Sequence, residues 1–111
     1  MSPLDALICA SLVTGLPLVG ATPDWEARMP TASECAWTSI RSGCDGMYLP
    51  FGNGVLIAER WPVLVHEACH ALQRANGVPF DEAQCYQAQA RALTCQEAPY
   101  PPQVTLLREP K

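Results

Sequence analysis

Apolar residues between Trp61 and Gly77 recur at helical intervals. Trp61, Val65, Ala68 and Leu72 fall on one stripe, spaced to form the buried face of a helix. Pro62 suits the first turn, Gly77 the position just past the last, and Pro79 prevents continuation. A second helix is predicted from Glu82 to Leu93, with Asp81 as N-cap and Gln84 three residues on, a variant of the capping box. The link between the two is short, which makes them antiparallel neighbours.

Upstream, the pattern changes. Met47-Tyr48-Leu49 and Val55-Leu56-Ile57-Ala58 flank Asn53-Gly54, so residues 46–59 read as a hairpin closed by a two-residue turn. Pro50 confines the first arm to an edge or a strand end. The second arm runs straight into the Trp61 helix. An exposed strand there can accept an extended peptide as an added strand, or be no more than a core element. Thr31 and Glu34 fit a capping box, predicting a short helix from Ala32 to Ser42, closed by Gly43, with Cys35, Trp37 and Ile40 toward the core. The alternative is an irregular loop stapled between Cys35 and Cys44, because an intact helix would hold them too far apart to bond.

The two ends differ from the middle. Ala6 to Ala21 is an almost unbroken apolar run, too short for a membrane span and the right length for the core of an export leader. Residues 1–21 are expected to be that leader, cleaved after Ala21, although the stretch before the run holds Asp5 and no basic residue. The alternatives are an N-terminal apolar helix buried against the domain, or an uncleaved anchor. Residues 22–98 are expected to be the folded unit. The tail, 99–111, carries Pro99, Pro101, Pro102 and Pro110 without periodicity, and is expected to be extended and docked, or disordered.

At 111 residues the chain is one domain with a modest core. The elements predict a small α+β fold. A net charge of −4 and a pI near 4.9, with no basic run, argue against a nucleic-acid partner. Six cysteines are dense for this length and point to disulfides in an oxidising compartment, secreted or periplasmic.

The chemistry lies within the first helix. His66-Glu67-Ala68-Cys69-His70 is a complete H-E-x-x-H. Residues i and i+4 share a helix face, so His66 and His70 can turn two imidazole nitrogens to one metal ion. Glu67 follows the first ligand, where its carboxylate can take a proton from a metal-activated water. The plainer alternative, satisfied core histidines, loses weight because these are the chain's two histidines and both are in the motif. Glu82, in the first turn of the antiparallel helix, becomes the natural third ligand, and its charge is favoured at a helix N-terminus. Without the motif upstream it would read as a solvated glutamate.

These residues carry a resemblance. The motif, the strand before it and the following helix that opens with Glu82 look like a small zincin-type metallopeptidase of the glutamate-ligand, or gluzincin, kind. Glu82-Ala83-Gln84-x-Tyr86-x-Ala88 is similar to the E-A-(N/E)-x-(F/Y)-x-A helix of compact bacterial and phage metallopeptidase domains. The resemblance covers residues 54–93. It implies His66, His70 and Glu82 as zinc ligands and Glu67 as catalytic base. Cys69 and Cys85 depart from the pattern, and residues 1–45 match no family.

The expected function is therefore a zinc-dependent peptidase acting on a peptide or protein. Tyr86, one turn past Glu82, is the candidate donor to the developing oxyanion, with helix packing as its alternative. A secreted, disulfide-stapled binding module with a structural or non-catalytic zinc site is the competing class. One such site would draw Cys85 in as a ligand beside the histidines. Helical-hairpin geometry sets residue 69 level with about residue 86, predicting a Cys69–Cys85 bond. Cys95 is expected near Cys35 or Cys44.

Overall fold

The chain is described here, for residues 1–37 and 44–97, by a computed structural model. Helix α1, Pro3–Thr14, is capped by the Ser2 hydroxyl, which accepts from the Asp5 N–H at 3.1 Å, and ends at Gly15 with φ +80°. The five residues from Ala6 to Ala10 are all buried. A helix apolar on every side needs cover on every side. Here the later helices pack against α1 and cover its middle, while Leu12 stays exposed. The apolar run that reads as a leader or a buried helix lies in α1 over residues 6–14, and its first five residues, Ala6 to Ala10, belong to the core.

The chain then forms a strand that its sequence did not announce. Strand β1, Asp24–Glu26, lies in the stretch before the capping box and pairs in parallel with a later strand. Helix α2, Ala32–Trp37, opens with the predicted capping box: Glu34 N–H donates to the Thr31 hydroxyl at 3.1 Å, and Thr31 N–H to Glu34 Oε1 at 2.7 Å. The remainder of that predicted helix, with Ile40, lies outside the described residues. So does the tail from residue 98 onward. Cys35 is bonded to Cys44, as the stapled alternative requires, with Cα atoms 5.6 Å apart.

Strands β2, Met47–Leu49, and β3, Val55–Ile57, form the hairpin, with Tyr48 opposite Leu56. Its loop differs from the expected two-residue turn. The turn runs from Phe51 to Gly54, closed by a 2.8 Å hydrogen bond from Gly54 N–H to Phe51 O, with Gly52 and Gly54 both at positive φ. Pro50, which has no N–H to offer a ladder, ends the first arm early and lengthens the loop. The sheet order is β1-β3-β2, so β3 is central and both its edges are taken. The strand that leads into the motif helix therefore cannot accept another.

Helix α3, Trp61–Ala75, is the axis of the molecule. Every residue from Val63 to Gln73 is buried, because α1, the sheet and the next helix all pack against it. Its end is a Schellman motif. Val78 N–H donates to Gln73 O at 3.1 Å and Gly77 N–H to Arg74 O at 3.1 Å, with Gly77 at φ +67°. The predicted second helix is two: α4, Glu82–Ala90, and α5, Ala92–Glu97. Just past the break at Arg91, the Ala92 carbonyl accepts from Trp61 Nε1 at 2.8 Å, and Cys95 meets α1. Cys95 is bonded there to Cys9, not to Cys35 or Cys44 as expected. The sequence could not show that α1 occupies this place. Among the described residues the fold is a small mixed α/β domain of five helices and one three-stranded sheet. None of these helices is long and apolar enough to cross a membrane.

Candidate metal centre

Helical spacing sets His66 and His70 on one face of α3. The Schellman turn then reverses the chain so that α4 begins opposite them. Asp81 caps α4, accepting from Ala83 N–H at 3.0 Å and Gln84 N–H at 3.4 Å, and Glu82 is the first helical residue. Glu82 Oε1 lies 2.9 Å from His66 Nε2 and 2.9 Å from His70 Nε2. Three donor atoms from two helices thus converge on one point. Ligating atoms of His66, Glu67 and His70 also lie within 4.8 Å of one another, so Glu67 borders the same point from inside α3.

The electrostatics follow from burial. Glu67 is 8% exposed, and burial, then the charge of Glu82, pushes its carboxyl up to about 8. Burial also works against ionisation of Glu82, but its contacts with His70 and His66 outweigh this and hold its carboxyl below the usual value. Burial, followed by repulsion from His70, lowers His66, with Glu82 only partly offsetting them. The neutral imidazole of His66 and the ionised Glu82 are the states in which these groups bind a metal. The arrangement has a further sign of fit: one carboxylate oxygen faces both imidazole Nε2 atoms at 2.9 Å, and a cation between them would be met by all three donor atoms. His66, His70 and either carboxylate could hold such an ion.

A cleft of about 880 Å³ opens over this point. Glu67 and Val63 line its floor, and Gly46 and Met47 lie on its sheet side. Two exposed aromatic rings stand at its rim. Phe80 stacks flat on His70, with ring centroids 3.8 Å apart, and Tyr86 meets His66 edge-on at 4.6 Å. Tyr86 is thus beside the predicted ligands, 60% exposed. Cys85 is bonded to Cys69 as predicted, with Cα atoms 5.4 Å apart, so it is no thiolate ligand in a structural site. That bond joins α3 to α4 beside His70, whose Nδ1 lies 3.4 Å from the Cys85 sulfur. All six cysteines are paired.

Sequence reasoning missed three residues. Gln73 is wholly buried and contacts His70, a contact that its i+3 spacing permits but does not by itself single out. Phe80 read as part of a connecting loop. Gly46 read only as the lead into the hairpin, yet it passes close over Glu67. Compared with protein-family models, curated proteins and solved structures, the chain matches none.

Proposed function

We propose that this chain is a zinc-dependent peptidase or amide hydrolase, a compact zincin-like domain with His66, His70 and Glu82 as the zinc ligands. One observation carries the reading. A single carboxylate oxygen lies 2.9 Å from both motif imidazoles, while the motif glutamate is buried against the same point in an open cleft. Two histidines with one carboxylate, plus room for substrate, is the donor set of catalytic zinc sites.

Zinc held there supplies Lewis acidity, easing deprotonation of water and polarising a scissile carbonyl. The chain does the rest. Glu67 accepts the proton of the attacking water at its carboxylate and passes it to the leaving amine. Burial favours its protonated form, and the charge of a divalent cation in the ligand set favours the carboxylate that a base requires. Tyr86, at the rim with its ring against His66, is the proposed donor to the developing oxyanion. The cleft would take an extended peptide or protein segment. Three disulfides are compatible with an oxidising compartment, and we place the protein in the secreted or periplasmic space.

Hydrolysis of unfolded protein or mixed peptides, before and after chelation and again after zinc is restored, tests this reading. Cleavage should vanish with the chelator and return with zinc. Stoichiometric zinc without cleavage of any peptide would favour the binding module instead.

A further inference from the structure

We propose that Gln73 is the positioning residue of this site: its amide holds the His70 ring with the proton on Nδ1 and the Nε2 lone pair toward Glu82. The consequence for zinc rests on the function proposed above, whereas the placement of the proton does not.

Gln73 lies one turn past His70 on α3 and is 0% exposed. All of its hydrogen-bonding capacity is used. Its Nε2 donates to Asp81 O at 3.0 Å and to Gln84 Oε1 at 2.9 Å. Its Oε1 accepts from Asp81 N–H at 3.2 Å and lies 2.9 Å from His70 Nδ1. Exchanging the amide oxygen and nitrogen would set an NH₂ group against the Asp81 N–H and an oxygen against the Asp81 carbonyl. The amide therefore has one orientation, and Oε1 can only accept from His70.

At the other end of the ring, Nε2 lies 2.9 Å from Glu82 Oε1, which also accepts. A neutral imidazole has one proton for these two acceptors. The tie is broken by mobility. The Glu82 side chain is 53% exposed and can turn to water, whereas Gln73 is buried and fixed at three other points. The proton stays on Nδ1. Nε2 is then left as a lone pair facing a carboxylate, the arrangement that a cation between them satisfies. The Cys85 sulfur, 3.4 Å from Nδ1, adds no more than a weak acceptor.

The same amide holds both main-chain groups of Asp81, the residue before Glu82. One side chain thus sets the ring of one ligand and the starting point of the helix that carries another. His66 is held differently: its buried Nδ1 makes no hydrogen bond of comparable geometry among the described residues, and the Gln89 side chain is the neutral group that acts on its ring.

Nitrogen–proton correlation NMR on the full zinc-free chain, disulfides intact, reads the proton directly. The spectra are read on the neutral ring, where a single proton is shared between the two nitrogens. The expected result is a protonated Nδ1 and an unprotonated Nε2 on His70; a protonated Nε2 overturns the proposal. Gln73→Met then tests the consequence by zinc titration. Affinity should fall by about 10- to 100-fold, and a folded variant with unchanged affinity also overturns the proposal. Should the variant not fold, the tautomer of the unaltered chain decides alone. Failure of the unaltered chain to bind zinc would instead sink the proposed function, while the NMR result still judges Gln73.

Discussion

Gly46 runs directly over the carboxylate of Glu67. A Cβ built at Gly46 would stand 3.1 Å from Glu67 Oε2 and 3.1 Å from the Ile57 carbonyl, and would overlap Cγ1 of Val63. The approach to β2 is thereby part of the wall that buries the proposed base. Only a residue without a side chain permits the contact, and the constraint is one of space. Gly46→Ala should destabilise the fold by about 1–3 kcal/mol through overpacking. Its displacement of Glu67 should reduce cleavage by more than it reduces zinc occupancy. Thermal unfolding, zinc titration and peptide cleavage on one preparation check this, and equal losses of zinc and cleavage would contradict it.

The Cys69–Cys85 bond joins the helices that carry the proposed ligands and closes a segment of 16 residues in sequence separation. Replacing both cysteines with alanine should cost about 3 kcal/mol, chiefly by releasing the unfolded chain. Zinc affinity should fall too, because the clamp preorganises His70 against Glu82. Denaturant unfolding and zinc titration measure the two effects separately. Unfolded but unreduced protein should show no free thiol, and any thiol count above zero would contradict the pairing.

The reach of sequence reasoning tracked the range of the interactions. Local signals read well. The apolar stripe of α3, the Gly77 stop, the Thr31–Glu34 cap and the Asp81 cap all depend on neighbours within one turn. The Cys69–Cys85 pairing followed because a short link leaves an antiparallel hairpin little freedom. Distant pairings did not read. Strand β1 exists because Asp24–Glu26 meets β3 in parallel and the Trp25 indole donates to Ala58 O at 2.8 Å, some thirty positions along the chain. Cys95 was assigned the wrong partner because nothing local says that α1 fills the space beside α5. Gln73 escaped notice because a glutamine on a helix reads as solvated until its partners in α4 are known.

The Arg28–Glu34 pair supplies a pH test that involves none of the proposed metal ligands. Two 2.8 Å contacts with Arg28, supported by Thr31, hold the Glu34 carboxyl down from 4.5 to about 2. A carboxyl depressed in the folded state contributes stability above its unfolded value and loses it as pH falls through the folded one. The unaltered protein should therefore lose stability between about 4.5 and 2, and Glu34→Gln should lose less over that window. Because the pair is at the surface, added salt should narrow the difference. Parallel acid titrations with identical slopes would contradict the assignment.

The central claim is that His66, His70 and Glu82 hold zinc for a reaction in which Glu67 moves the proton. Its most direct test is Glu67→Gln, with zinc content and peptide cleavage measured together on the same sample. The substitution keeps the side chain's size and removes its basicity, so zinc should remain at about one ion per chain. Cleavage should fall by roughly 10²- to 10⁴-fold. A variant that retains zinc and cleaves as fast as the unaltered protein would contradict the account.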